Sequence, residues 1–182
     1  TFFAAVNTAV AARDDLTFDD TTGVLTYTGE GEAMANLEIA LAITDDALVE
    51  GAESFDVNLG ADTSGSVATT IGTASVTTTI AASDTATWSI AGPTAAVTEG
   101  TTATYTLSLE GIIDGTATVA LSLANDTAED ADYDGTFFAA VNTAVAARDD
   151  LTFDDTTGVL TYTGEGEAMA NLEIALAITD DA

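Results

Sequence analysis

Residues 1–47 return letter for letter at 136–182, from TFFAAVNTAVAARDD through to ITDDA, at an offset of 135 positions. Packing requirements alone tolerate hydrophobic exchange, so identity on this scale marks tandem duplication of a 135-residue unit. Solenoid repeats run roughly 20 to 50 residues, whereas about 100 to 150 is the usual size of an independently folding domain. The chain therefore reads as part of an array of bead-like domains. One strand pattern ends and another begins in SDTATWSI, residues 83–90, and the join between beads is expected there. Residues 1–86 then hold the later part of one repeat and 87–182 the earlier part of the next. The single proline, Pro93, follows the join, and no Gly/Ser-rich linker separates the two sides. So short a join implies beads held at a restricted angle.

Most of the chain alternates apolar and polar residues at period two and is rich in Thr, Val and Ile, the pattern of half-buried strands. Ala103, Tyr105, Leu107 and Leu109 share one face of ATYTLSLEG. Ala117, Val119, Leu121 and Leu123 do so in TATVALSLA, and Leu37, Ile39, Leu41 and Ile43 in NLEIALAI. SFDVNL contributes Phe55, Val57 and Leu59, and ASVTTTI contributes Val76 and Ile80. Turn signals lie at DDTTG (19–23), GADTSG (60–65) and EGIIDG (110–115). Many short strands at this spacing predict an all-β antiparallel sandwich. The exception is TFFAAVNTAVAAR, where Phe138, Val141 and Val145 recur at three and four residues. That spacing predicts one short amphipathic helix per repeat, capped by Thr136, with Arg148 near its last carbonyls and its body over an open edge or end of the sandwich.

Two Arg, no Lys and no His against 31 acids give a formal charge of -29, yet 47% of residues are apolar. Such a chain has a core to bury but lacks the cations that a nucleic-acid partner requires. Anionic membrane surfaces are disfavoured for the same reason, and no apolar run has membrane-spanning length. Two like charges about 5 Å apart repel by roughly 0.8 kcal/mol even in water, so clustered carboxylates call for screening salt or a bound cation. A saline extracellular setting supplies both. With no cysteine there are no disulfides, thiolate sites or thiol chemistry.

The acids are not evenly spread. In EDADYDGT, Asp130, Asp132 and Asp134 stand two apart and precede Gly135, the D-x-D-x-D-G spacing of a calcium loop leading into a helix. Alternate carboxylates on a curled loop can face one centre, and a hard ion taking six to eight oxygens suits them. Position twelve of such a loop is Val141 where a bidentate Glu belongs, so other segments must complete any site; the alternative is a solvated acidic turn. A second cluster, ITDDALVEGAESF, holds Asp45, Asp46, Glu50 and Glu53. Glu99 in AVTEG and Asp84 at the end of TTTIAASD stand alone, and Asp180 and Asp181 repeat Asp45 and Asp46. Asp14, Asp15, Asp19, Asp20, Glu30 and Glu32 read as a solvated face. Trp88 reads as core or junction packing.

In these positions the chain resembles the Calx-β domain family, with an early V-x-E-G at 97–100, Asp132-Tyr133 in the middle, I-x-D-D at 43–46, E-G-x-E-x-F at 50–55 and Asp84 at a strand end. The resemblance covers most of one repeat. It implies an immunoglobulin-like sandwich in which the counterparts of Glu99, Asp132, Asp45, Asp46, Glu50 and Asp84 gather at the pole facing the next bead, with Ca2+ at or near the join. The helical segment and LTFDDTTGVLTYTG exceed that pattern and look like the extender repeats of giant RTX-type bacterial surface adhesins, although the G-G-x-G-x-D nonapeptide repeats of that class are absent.

The expected function is a non-catalytic spacer repeat of a long secreted bacterial adhesin or surface protein, rigidified by calcium, with neighbouring repeats of the same chain as its partners. Because each half carries strands the other could supply, the halves are also expected to complement each other, within one chain or head to tail between chains. The alternative is an extracellular glycan- or cell-binding module, which a cluster of exposed aromatics would favour. Without His, Cys, a G-x-S-x-G elbow or a phosphate-cradling glycine loop, an enzyme is not expected.

Overall fold

The computed structural model describes residues 1–62, 64–133 and 137–180. In chain order the elements are α1 (Phe2–Val10), β1 (Leu16–Asp19), β2 (Val24–Tyr27), β3 (Leu48–Val49), β4 (Glu53–Asn58), β5 (Ser75–Ile80), β6 (Thr87–Ala91), β7 (Thr102–Glu110), β8 (Ile112–Ala120), a 3-10 turn (Asp130–Asp132), α2 (Phe137–Val145), β9 (Leu151–Asp154), β10 (Val159–Ala168) and β11 (Leu172–Ala177). The chain is mostly β, with 38% of the described residues in strands. No helix among the described residues is long and apolar enough to cross a membrane. Two compact units form, Thr1–Asp45 with Glu53–Ile80, and Asp46–Ala52 with Ala81–Ala182.

The second unit has two sheets, ordered β11-β7-β6 and β3-β8-β10-β9. Every pairing is antiparallel except that of β3, which runs parallel to β8 with Leu48 beside Ile112 and Val49 beside Ile113. One core joins them: Leu107, Leu109, Leu172 and Ile174 from the first sheet, Ile113, Leu160 and Tyr162 from the second, and Phe137 and Val141 from α2. The arrangement is compatible with an all-β sandwich. Alternation along β11 is complete, with Leu172, Ile174 and Leu176 buried and the residues between them exposed. Trp88 packs half-buried against this core, as expected.

Helix α2 packs against β11 and β9, the outer strands of the two sheets, and so covers the opening between them. Its buried residues are Phe137 and Val141; Phe138, expected on the buried face, is half-buried and meets the Phe153 ring edge to face at 5.3 Å. Thr136 lies outside the described residues. Thr1, its counterpart before α1, makes no side-chain cap bond. Arg148 does not serve the helix carbonyls with its side chain. Its guanidinium instead grips both oxygens of Asp150, at 2.8 and 2.6 Å, and donates to the Ala170 carbonyl at 3.2 Å. A carboxylate two residues away competes better for a fork of N–H donors than single carbonyls do. The expected turn at 110–115 is also shorter than its Gly and Asp content suggests: the chain reverses at Gly111 (φ 108°), and Ile112–Ala120 is already strand.

The first unit is slighter. Its helix α1 buries Val6 and Val10 against Leu16, and its strands form two separate two-stranded sheets, β1-β2 and β4-β5. Here identical sequence behaves differently. Residues 159–168 form the ten-residue strand β10, whereas the matching VLTYTGEGEA yields only the four residues of β2. Residues 172–177 form β11, but the same LEIALA at 37–42 forms no strand, and Ile39, Leu41 and Ile43 are 37%, 37% and 50% exposed. The strand expected on the face of Leu37, Ile39, Leu41 and Ile43 is therefore absent. The reason is non-local: β11 hydrogen-bonds along β7, and β10 along β8, while no such partner stands beside the first copies among the described residues. A lone extended segment leaves its backbone groups to water and buries neither face.

Candidate metal centre

Three acidic segments of the second unit meet at one end of its three-stranded sheet. The turn before β7 binds the segment after β11: the Gly100 N–H donates to the Ile178 carbonyl at 3.1 Å, and the Ile178 N–H to the Thr101 carbonyl at 2.8 Å. The 3-10 turn joins from the other side, through a bridge between Tyr133 and Ile178 and a 2.9 Å bond from the Thr179 N–H to the Asp132 carbonyl. A Cβ built on Gly100 would sit 3.4 Å from the Asp180 Cβ. Glu99, Asp132 and Asp180 thus stand on backbone segments in direct contact.

The acidic turn itself is organised by local hydrogen bonds. Glu129 caps it: the Asp132 carboxylate accepts the Glu129 N–H at 2.7 Å, and the Glu129 side chain accepts the Asp132 backbone N–H. Asp130 accepts from the Asn125 amide at 2.6 Å and the Tyr133 hydroxyl at 3.0 Å, and Tyr133 also donates to Asn125. The amide first and the phenol second hold the Asp130 carboxyl below its usual range. Loss of water around the ring, and then the neighbouring carboxylate, push the Tyr133 phenol up. The even spacing of Asp130 and Asp132 therefore serves a cap and a clamp, each of which commits one carboxylate oxygen and leaves the chemistry of the second, since an ionised carboxylate accepts at both. Asp134, which completes the D-x-D-x-D-G spacing, lies outside the described residues, as does Asp181.

The remaining acids stand elsewhere. Asp84 accepts from Ser83 at 3.1 Å and lies three residues before β6, whose Thr87 pairs with Glu110 at the far end of β7 from Thr102. Asp46 accepts the Leu48 N–H at 2.9 Å in a tight turn that starts β3, and Glu50 follows β3 beside the start of β8. Asp46, Glu50 and Asp84 accordingly belong to the opposite end of the second unit from Glu99, Asp132 and Asp180. Asp45 ends the first segment of the other unit, and Glu53 opens β4 there opposite Ile80. Among the described residues, no three acidic side chains stand close enough together to hold an ion as they are arranged. Asn125 and Glu129 went unread in the sequence. The signal was an amide five residues before Asp130 and a carboxylate directly before it, both outside the every-second-residue spacing of the calcium-loop pattern.

Compared with known proteins, the chain matches no family model, no curated sequence and no solved structure.

Proposed function

We propose that this chain is a non-catalytic spacer repeat of a long secreted bacterial adhesin or surface protein, an immunoglobulin-like, Calx-β-like sandwich stiffened by calcium at one pole. The observation that carries the reading is the meeting of the turn at Glu99, the 3-10 turn at Asp130–Asp132 and the segment around Asp180 at one end of the second unit's three-stranded sheet, in a chain whose residues 1–47 return at 136–182. A spacer needs length and rigidity without a reactive site, and exact copying extends it at no cost in invention. Glu99, Asp132 and Asp180 would hold the ion, with Asp130 as a neighbour. Their donors are carboxylate and carbonyl oxygens, the hard set that calcium takes. Bound there, calcium would neutralise charge crowded onto two strand ends and the 3-10 turn and tie them together.

The test is the thermal unfolding of the 182-residue chain in excess calcium, in excess magnesium and in chelator. Calcium at about 100 times its dissociation constant should stabilise the folded second unit by about 2.7 kcal/mol, and magnesium much less. Glu99→Gln with Asp132→Asn should abolish most of that gain. An unchanged calcium shift in the double variant would remove the site from these residues, and no shift in the parent chain would remove calcium from the function.

A further inference from the structure

Strand β8 has one edge in use and one nearly bare. Along one side it pairs with β10 from Ile112 to Ala120; on the other it meets only the two residues of β3, at Ile112 and Ile113. The open stretch beyond carries no charge after Asp114, reading GTATVA, and no proline. It lacks the devices that ordinarily blunt a free edge. Ala117 and Val119 on its inner face are half-buried and pack on the core. The first unit holds a complementary piece, the hairpin of β4 and β5. Among the described residues the two strands pair only with each other, so one edge of β4 is open too. Phe55 and Val57 alternate on one face of β4, while Val76 is 59% and Leu59 64% exposed. A two-stranded hairpin is marginal in water, and three or more strands over an apolar face are needed for independent stability.

We infer that β4 of a second copy of this chain adds antiparallel to the open edge of β8, extending the sheet to β5-β4-β8-β10-β9. Alternation allows every second register, and only one of these sets both apolar residues of β4 beside apolar inner-face residues in the free part of β8. Matching inner faces sets Val57 beside Ala117 and Phe55 beside Val119, with Asp56 beside Thr118 and Ser54 beside Ala120 on the outside. The chain's own hairpin cannot do this while β3 is in place. That register puts Glu53 next to Leu121, about 27 Å along the edge from Ile113. Glu53 follows Val49 by four residues, which span at most about 14 Å. Two copies that exchange hairpins satisfy both edges reciprocally, so the assembly closes as a two-fold dimer. The pairing rests on strand edges and not on calcium.

Sedimentation velocity of the 182-residue chain, run in chelator to separate it from the calcium reading, tests this. Salt at about 0.5 M shortens the Debye length to about 4 Å and suppresses repulsion between chains of charge -29. A concentration-dependent dimer is expected, and Val57→Lys should return it to monomer. The chain has no cysteine, so Ser54→Cys and Ala120→Cys can be introduced singly and the two proteins mixed under oxidising conditions. Facing positions of an antiparallel pair lie within disulfide reach. A cross-linked heterodimer should form in the mixture and not from either protein alone. A chain monomeric at every concentration overturns the proposal, as does a dimer that survives Val57→Lys without cross-linking positions 54 and 120. Should Val57→Lys unfold the hairpin, the cross-link decides by itself.

Discussion

Gly164 and Gly29 are the same residue of the repeat in two surroundings. In β10, a Cβ on Gly164 would lie 2.4 Å from the Ile113 carbonyl oxygen and 2.5 Å from the Ile113 side chain. That is too close for any side chain, and backbone cannot swing away. On Gly29 the atoms nearest the same Cβ belong to the movable Tyr27 ring, at 2.9 Å. Gly164→Ala should therefore cost roughly 1–3 kcal/mol, as overpacking of a filled core does, and Gly29→Ala much less. Denaturant unfolding of the two variants checks it; equal effects would mean that β8 and β10 do not approach as closely as described. The Arg pairs show the opposite behaviour. Arg13 grips Asp15 at 2.8 and 2.7 Å just as Arg148 grips Asp150. In each copy the guanidinium, hydrogen-bonding first, holds the carboxyl below its usual range. A bond spanning two residues needs nothing from the rest of the fold.

At the scale of the element, the duplicated LEIALA is a control built into the molecule. In β11 its amides hydrogen-bond along β7 and three of its side chains are buried; at 37–42 the same residues form no strand. Peptides from the two copies have identical mass, so hydrogen exchange read by mass spectrometry reports both at once. The fragment covering LEIALA should give a bimodal deuterium envelope of two equal populations, one protected and one exchanging freely. A single envelope would show that both copies share one environment. The strand pattern was legible in the residues, since alternation is complete in either copy. Its fulfilment was not, because a strand exists only beside a partner, and the partner here lies some 65 to 75 positions away in the chain.

At the scale of the whole chain, the two units differ in what they bury. Among the described residues, one core cluster of the second joins twelve buried apolar residues from two sheets, a helix and the adjoining loops, while that of the first has only Val6, Val10 and Leu16. A core of three residues gives little surplus over the entropy of ordering its chain. Calorimetry at dilution and in chelator should accordingly resolve two transitions, the first unit melting well below the second. One transition whose calorimetric and van't Hoff enthalpies agree would refute separate units. Charge acts on both alike: most of the 31 acids stand at the surface, where added salt weakens their repulsion.

Composition and period sufficed for the repeat, the β-rich class, the short helix and the segments from which acids converge, because each of these is a local or copied property of the chain. The contact between the backbone segments of Glu99, Asp132 and Asp180 needed the sheet order as well, and the separation of Asp46, Glu50 and Asp84 from them came only with it. Position along a sheet depends on which strands pair and in what direction. The two fates of one 47-residue sequence make the same point in the plainest form. Side-chain alternation is written in each segment, but hydrogen bonds and a buried face come from another part of the chain, and tertiary structure decides which copy receives them.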